Sequence, residues 1–148
     1  MIRMDFPEPD FRIRPAPQGG REVFDALRRR WVHLTPEEWV RQNVLRWMTV
    51  VMRYPPSMIA VERQIRLGSL RKKFDILVHD EAQRPWLMVE CKSMDVQLTT
   101  DTLMQVLRYN MALPVPLLMI TNGTHAHAIS LREGAAWLDA LPSWGGGA

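Results

Sequence analysis

Cysteine is almost missing from this chain: Cys91 stands alone, so no internal disulfide can form, and a reducing compartment suits the sequence. Long apolar runs are missing too. The longest candidate, Val115–Ile120, is broken by Pro116 and falls far short of the ~20 residues that span a bilayer. The opening MIRMDFPEPD has acids and prolines in place of an apolar signal region, so the sequence reads as that of a cytoplasmic protein, with no membrane partner. No phosphate-cradling glycine loop or dinucleotide fingerprint occurs. A strong charge excess is also absent: 19 Lys and Arg stand against 16 Asp and Glu, a net charge of +3, too little to diagnose nucleic-acid binding. What is present is a chain of 148 residues, 47% hydrophobic and 24% charged, which is the composition of one folded domain with a real core.

The pattern along the chain predicts an α/β fold. Met1–Gly20 is rich in proline and ends in Gly19-Gly20, so it reads as an extended or mobile N-terminal arm. Arg21–His33 reads as a short strand or turn leading to a helix start. Thr35-Pro36-Glu37-Glu38 then opens a helix, with Thr35 as N-cap, proline at the first helical position and acids in the first turn. This helix runs to about Arg53, before Tyr54-Pro55-Pro56, and gathers Val40, Val44, Trp47, Met48 and Val51 on its apolar face. Ile59–Leu67 alternates loosely, with Val61 and Ile65 on one side and Glu62, Gln64 and Arg66 on the other. Gly68-Ser69 makes a turn. Phe74–His79 and Trp86–Lys92 are joined by a polar loop and are apolar on both faces, the mark of central strands covered on two sides. A second helix spans about Thr100–Ala112, Leu117–Thr121 forms a last buried strand, and Ala126–Leu131 reads as an edge strand or loop before a short helical segment. The domain proper covers 21–142, and 143–148 reads as a mobile tail. Helix, three strands, helix, strand is the order of a mixed sheet with helices packed on it.

Three charges interrupt the most apolar strands: Asp75 in FDILVH, and Glu90 and Lys92 at the end of WLMVECK. A charge in a central strand is costly unless it is paired or bound to a metal. Alternation puts Glu90 and Lys92 on one face and Cys91 on the other, and a hairpin between the two strands lets Asp75 lie opposite Glu90. Two carboxylates without a histidine or thiolate form a hard, oxygen-only site suited to Mg²⁺ or Mn²⁺, with the backbone carbonyl of Cys91 as a natural third ligand. Lys92 beside such an ion could orient or deprotonate a water, or neutralise charge on a phosphate. The competing reading is a buried ion pair of Lys92 with Asp75 or Glu90.

Other residues stand where such a site would want them. The helical wheel turns Glu37 inward, with Arg41 one turn on as its partner, either to join a metal shell or as a capping-turn carboxylate satisfied by backbone amides, and turns Glu38 toward the polar side with Gln42 and Thr49. On the second helix Gln105 and Tyr109 share a face, and both can hydrogen-bond phosphate or water. Arg63, Arg66, Arg71, Lys72 and Lys73 form one basic cluster and Arg28–Arg30 another, each of which alone reads as a solvated face. His125 and His127 beside a turn read as exposed polar residues. Cys91 has no histidine partner and points away from the acids, which disfavours nucleophilic catalysis. Trp39 falls off the apolar stripe.

Asp75, Glu90-Cys91-Lys92 and Gln105…Tyr109 together resemble the PD-(D/E)XK nuclease signature with its trailing Q-x-x-x-Y element. More specifically, TPEEWVRQ, RKKFDILVHD, PWLMVECKSMDVQLTTDTLMQVLRYNMAL and PLLMITNG resemble the N-terminal nuclease domain of type I restriction enzyme R subunits, above all small stand-alone proteins built from that domain. The similarity covers about residues 21–142. The resemblance implies a restriction-endonuclease-like αβββαβ core and Mg²⁺-dependent (or Mn²⁺-dependent) hydrolysis of DNA. It implies Asp75 and Glu90 as metal ligands, Lys92 as the catalytic lysine, Glu37 as the helix acid, and Gln105 and Tyr109 as supports that contact the DNA backbone. Arg71, Lys72 and Lys73 are the basic residues set beside it for phosphate. Among its partners are DNA, the subunits of a restriction or defence complex, and a second copy of the chain, since two-chain nucleases of this fold often cut both strands as dimers. Phe74 stands where the motif name has proline, a position that varies widely. These residues do not include the helicase-like motor of a full subunit, so restriction activity does not follow from the likeness alone.

Overall fold

The computed structural model describes residues 1–110 and 114–145. Its strands are β1 (Ile2–Arg3), β2 (Ile13–Pro15), β3 (Arg21–Asp25), β4 (Arg30–His33), β5 (Ile59–Leu67), β6 (Leu70–His79), β7 (Pro85–Cys91), β8 (Leu117–Thr121), β9 (His125–Ser130) and β10 (Ala136–Leu138). Its α-helices are α1 (Pro36–Arg46) and α2 (Thr100–Asn110). The main sheet is mixed and seven-stranded, in the order β1-β9-β8-β7-β6-β5, with β10 also paired to β9. β5, β6 and β7 form an antiparallel meander, and β7 pairs with β8 in parallel. Parallel neighbours need a crossover, and α2 lies in that connection. This is the α/β architecture expected of a restriction-endonuclease-like core, with αβββαβ as its central order.

Apolar side chains on both faces of the central strands account for the layering. On one face, Val40, Val44 and Met48 of the α1 segment pack with Ile76, Val78, Leu87, Val89, Leu117 and Met119. On the other, Leu103 and Val106 of α2 pack with Leu77, Met88, Leu118 and Ile120. Every residue of β8 is buried. Each such side chain contributes about 1.5–3 kcal/mol by leaving water, so the centre of the sheet is the rigid platform of the molecule.

Local signals set α1. The Thr35 hydroxyl accepts from the Glu38 amide at 3.0 Å, and Pro36 takes the first helical position, where its missing N–H is harmless. The regular helix ends at Arg46, short of the expected Arg53, and Trp47–Val51 form a π-turn. The wider turn rotates Val51 out of the apolar stripe and leaves it 51% exposed.

Several segments differ from the sequence reading. The first twenty residues are built into the fold: β1 pairs with β9, Met4 is buried in the α1-side core, and β2 pairs with β3. Arg21–His33 is a β-hairpin, and β2-β3-β4 make a second, three-stranded sheet. β9 lies between β1 and β8, not at an edge, and the expected helical segment after it is β10. In the tail, the Trp144 indole donates to the His79 carbonyl at 2.9 Å, and the Tyr54 hydroxyl donates to the Pro142 carbonyl at 2.7 Å. Residues 146–148, and the last residues expected in α2 (111–113), lie outside the described residues. None of the helices described is long and apolar enough to cross a membrane.

Candidate functional site

The three interrupting charges all lie just beyond one end of the β6–β7 pairing. Its register runs Val78↔Leu87, Leu77↔Met88, Ile76↔Val89, and Asp75 and Glu90 are the next residues on the two strands. The pleat slips at Asp75. Phe74 and Leu77 both pack in the α2-side core while Ile76 packs in the α1-side core, which strict alternation does not allow. The β5 residue opposite, Glu62, carries the matching irregularity: its φ of 52° is in the left-handed region, a strained conformation for a non-glycine residue. The double slip turns Asp75 toward α1, where Arg41 Nη2 donates to its Oδ1 at 2.7 Å. Its Oδ2 accepts from the Cys91 amide at 2.8 Å.

Glu90 is the unsatisfied member. Its Oε1 is buried and has no hydrogen-bond partner among the described residues. Burial first, and then the nearby Asp75 charge, push its pKa up to about 7, against the pull of Lys72 and Lys92. Burial also raises the pKa of Glu37; Asp75 adds to the rise, while Arg41 and Lys92 oppose it. Asp75 and Lys92 therefore act on both glutamates, and Asp75, Glu90, Lys92 and Glu37 share one electrostatic neighbourhood. The Cys91 side chain points into the α1-side core, and burial raises its thiol pKa well above normal, consistent with an inert thiol.

The two helix acids exchange the roles that the wheel gives them. Glu38 is buried, accepting from Arg41 at 2.7 Å, Arg28 at 3.1 Å and Gln42 at 3.2 Å. The Glu37 side chain is 48% exposed, at the rim, with Arg41 at 3.5 Å. The reason is tertiary: the small sheet covers the side of α1 that a lone helix would leave in water, so Gln42 is buried as well and donates to Asp25 at 2.9 Å.

Arg41 is the hub, reaching Glu38, Glu62 at 2.6 Å, Asp75 and Glu37. The surrounding carboxylates hold its pKa above the ordinary arginine value despite burial. Sequence reasoning missed the rest of this network. Glu62, assigned to the polar side of β5, joins it, and although burial opposes ionisation, Lys73 at 3.1 Å and Arg41 keep its pKa low. Arg28, read as part of a solvated cluster, donates to Asp25 at 2.6 Å. Asp25 is fully buried; burial raises its pKa, but Arg28 and Gln42 bring it below normal. One signal for this was legible, because the Asp25 side chain accepts from the Leu27 and Arg28 amides, the Asx turn that D-A-L-R can form.

The remaining candidates lie outside this knot. Arg71 and Gln105 are exposed, and Gln105 makes no hydrogen bond to Asp75, Glu90 or Lys92 among the described residues. The Tyr109 side chain lies outside the described residues. His127 packs edge-on against Trp137, and Trp39 against Phe11. Among the described residues, no group of three or more His, Cys, Asp or Glu side chains is arranged to hold a metal. An open cleft of about 740 Å³ leads into the network, between β4 on one side and Glu37, Arg41, Glu62 and Ser93 on the other.

Acids and a lysine thus gather near one end of a mixed α/β sheet. The model of the family described as type I restriction enzyme R protein N terminus matches residues 36–142, most of the chain. The chain belongs to this family. A search of curated proteins found no match.

Proposed function

We propose that this chain is a metal-dependent nuclease module that hydrolyses DNA phosphodiester bonds as part of a restriction or defence system. The reading rests above all on Glu90, an acid in a central strand, near a second acid, with a buried oxygen that has no hydrogen-bond partner among the described residues. An oxygen donor of this kind suits a hard cation. Mg²⁺ or Mn²⁺ is bound through one or two carboxylates and several waters, so Asp75, Glu90 and the Cys91 carbonyl would suffice. A bound cation would supply Lewis acidity to the scissile phosphate and acidity to a water.

The chain's own residues supply the rest. Lys92 faces charge that grows on the phosphate oxygens, and lies near enough to Glu90 and Glu37 to lower the pKa of both. Glu37 at the rim can accept a proton from the attacking water. In the reaction an oxygen–phosphorus bond forms from water as the bond to the leaving sugar oxygen breaks, and that oxygen takes up a proton. Arg41 orients Asp75. Arg71, Lys72, Lys73, Gln105 and Tyr109 attract and steer the phosphate backbone. A homodimer would bring two such centres to the two strands, and the family supports DNA and a restriction complex as partners.

A second reading, a DNA-docking module without turnover, is favoured by one observation: both oxygens of Asp75 already accept hydrogen bonds, from Arg41 and from the Cys91 amide. Incubating the purified chain with Mg²⁺ or Mn²⁺ on single- and double-stranded DNA decides between the two. Cleavage that Asp75→Ala and Lys92→Ala each reduce by about 10²-fold or more, with unchanged circular dichroism, is the expected result. Cutting by both variants at the wild-type rate would overturn it, and an inert wild type whose DNA binding falls steeply with salt would favour the docking module.

A further inference from the structure

We infer that the small β2-β3-β4 sheet is a separate contact for the phosphate backbone of the nucleic acid, flanking the candidate site; the choice of DNA as ligand rests on the reading above. The sheet precedes the family-matched residues 36–142, so nothing in the match assigns it a role. Arg14 pairs with Glu22, Glu22 with His33 and Phe24 with Trp31, which sets these side chains on one face. On it two guanidinium groups lie over aromatic rings. The Arg12 guanidinium carbon is 4.9 Å from the Phe24 ring centre and 5.3 Å from that of Trp31, and that of Arg14 is 4.1 Å from Trp31. Phe24 and Trp31 meet edge to face at 5.5 Å.

A hairpin that only covered α1 would need its inner face, where Val23 and Asp25 are fully buried, and nothing on the outer one. The outer face instead holds two exposed arginines flat, with their charge kept and much of their rotamer freedom already lost. Arg14 engages Glu22 through Nε at 3.0 Å, which leaves its terminal nitrogens for an acceptor, and Arg12 forms no ion pair among the described residues. Planar guanidinium edges match the paired oxygens of a phosphodiester. Trp31 and His33 also line the cleft that reaches Glu37 and Arg41, so a strand crossing the platform continues toward the acids. Contacts of this kind are independent of base sequence.

The test is fluorescence anisotropy of the full chain with a labelled duplex of about 30 base pairs, in EDTA so that cleavage does not interfere, over a range of salt. Arg12→Gln/Arg14→Gln should bind about ten-fold more weakly or worse, with a log–log salt slope shallower by about 2. Arg12→Lys/Arg14→Lys should keep the slope while losing part of the affinity, which separates lost charge from misfolding. Unchanged affinity and slope in the Gln variant, or a wild type that binds no duplex, overturns the inference. The two readings fail separately. Cleavage abolished by Asp75→Ala with binding insensitive to Arg12→Gln/Arg14→Gln removes the platform alone; an inert wild type whose slope responds to that variant removes the catalytic reading alone.

Discussion

Arg41 Nη2 donates to Asp75 Oδ1 at 2.7 Å, joining the middle of α1 to the acid of β6 across 34 residues of sequence. The same guanidinium bonds Glu38 and Glu62, so its removal would leave a crowd of partly desolvated carboxylates without their cation.

Arg41→Ala is therefore expected to lower unfolding free energy by about 3–5 kcal/mol, the usual effect of breaking one side of a buried ion cluster. Arg41→Lys, which keeps charge but not the fork, should lose less. Urea denaturation at neutral pH measures both, and an Arg41→Ala loss below about 1 kcal/mol would contradict the hub.

Glu37 and Glu38 should separate cleanly. Glu38→Ala removes the partner of Arg28, Arg41 and Gln42 and should destabilise by about 2–4 kcal/mol. Glu37→Ala, at an exposed rim position, should change stability by less than about 1 kcal/mol. The wheel assignment makes the opposite forecast, so the two urea midpoints choose between them.

Glu90 gives the pH dependence. Its folded pKa of about 7 is above the ordinary 4.5, so the folded state holds this proton more tightly than the unfolded chain does. Stability from this group is present below about pH 4.5 and is lost as pH rises toward and through 7, by up to about 3 kcal/mol. Glu90→Gln should remove that slope and stabilise the cation-free protein above neutrality. Denaturation midpoints measured across this window, with the wild type insensitive between pH 5 and about 8, would show that Glu90 is not the strained acid.

Much of this was legible because it is local or periodic. Thr35-Pro36 announces α1, Gly68-Ser69 closes the β5–β6 hairpin between Leu67 and Leu70, and the apolar runs around Asp75 and Glu90 announce two covered, paired strands. The ion network was not legible. Glu62 reaches Arg41 only because the pleat slips at Glu62 and Asp75, and no alternation pattern reports a slip. Glu38 is inside only because β3 and β4 fold over α1, a tertiary fact invisible to a wheel drawn for one helix.

The burial of Asp25 has a practical consequence for anyone who shortens this protein. The family match begins at residue 36, which invites a recombinant version that starts there. Such a trimmed piece would lack the edge strand on β9, and would strip Glu38 and Gln42 of their upstream companions, baring to water a flank of α1 that is otherwise hidden. The smallest autonomous unit thus extends upstream of the stretch that homology delineates, and boundaries for expression are better drawn from ion pairs than from alignment.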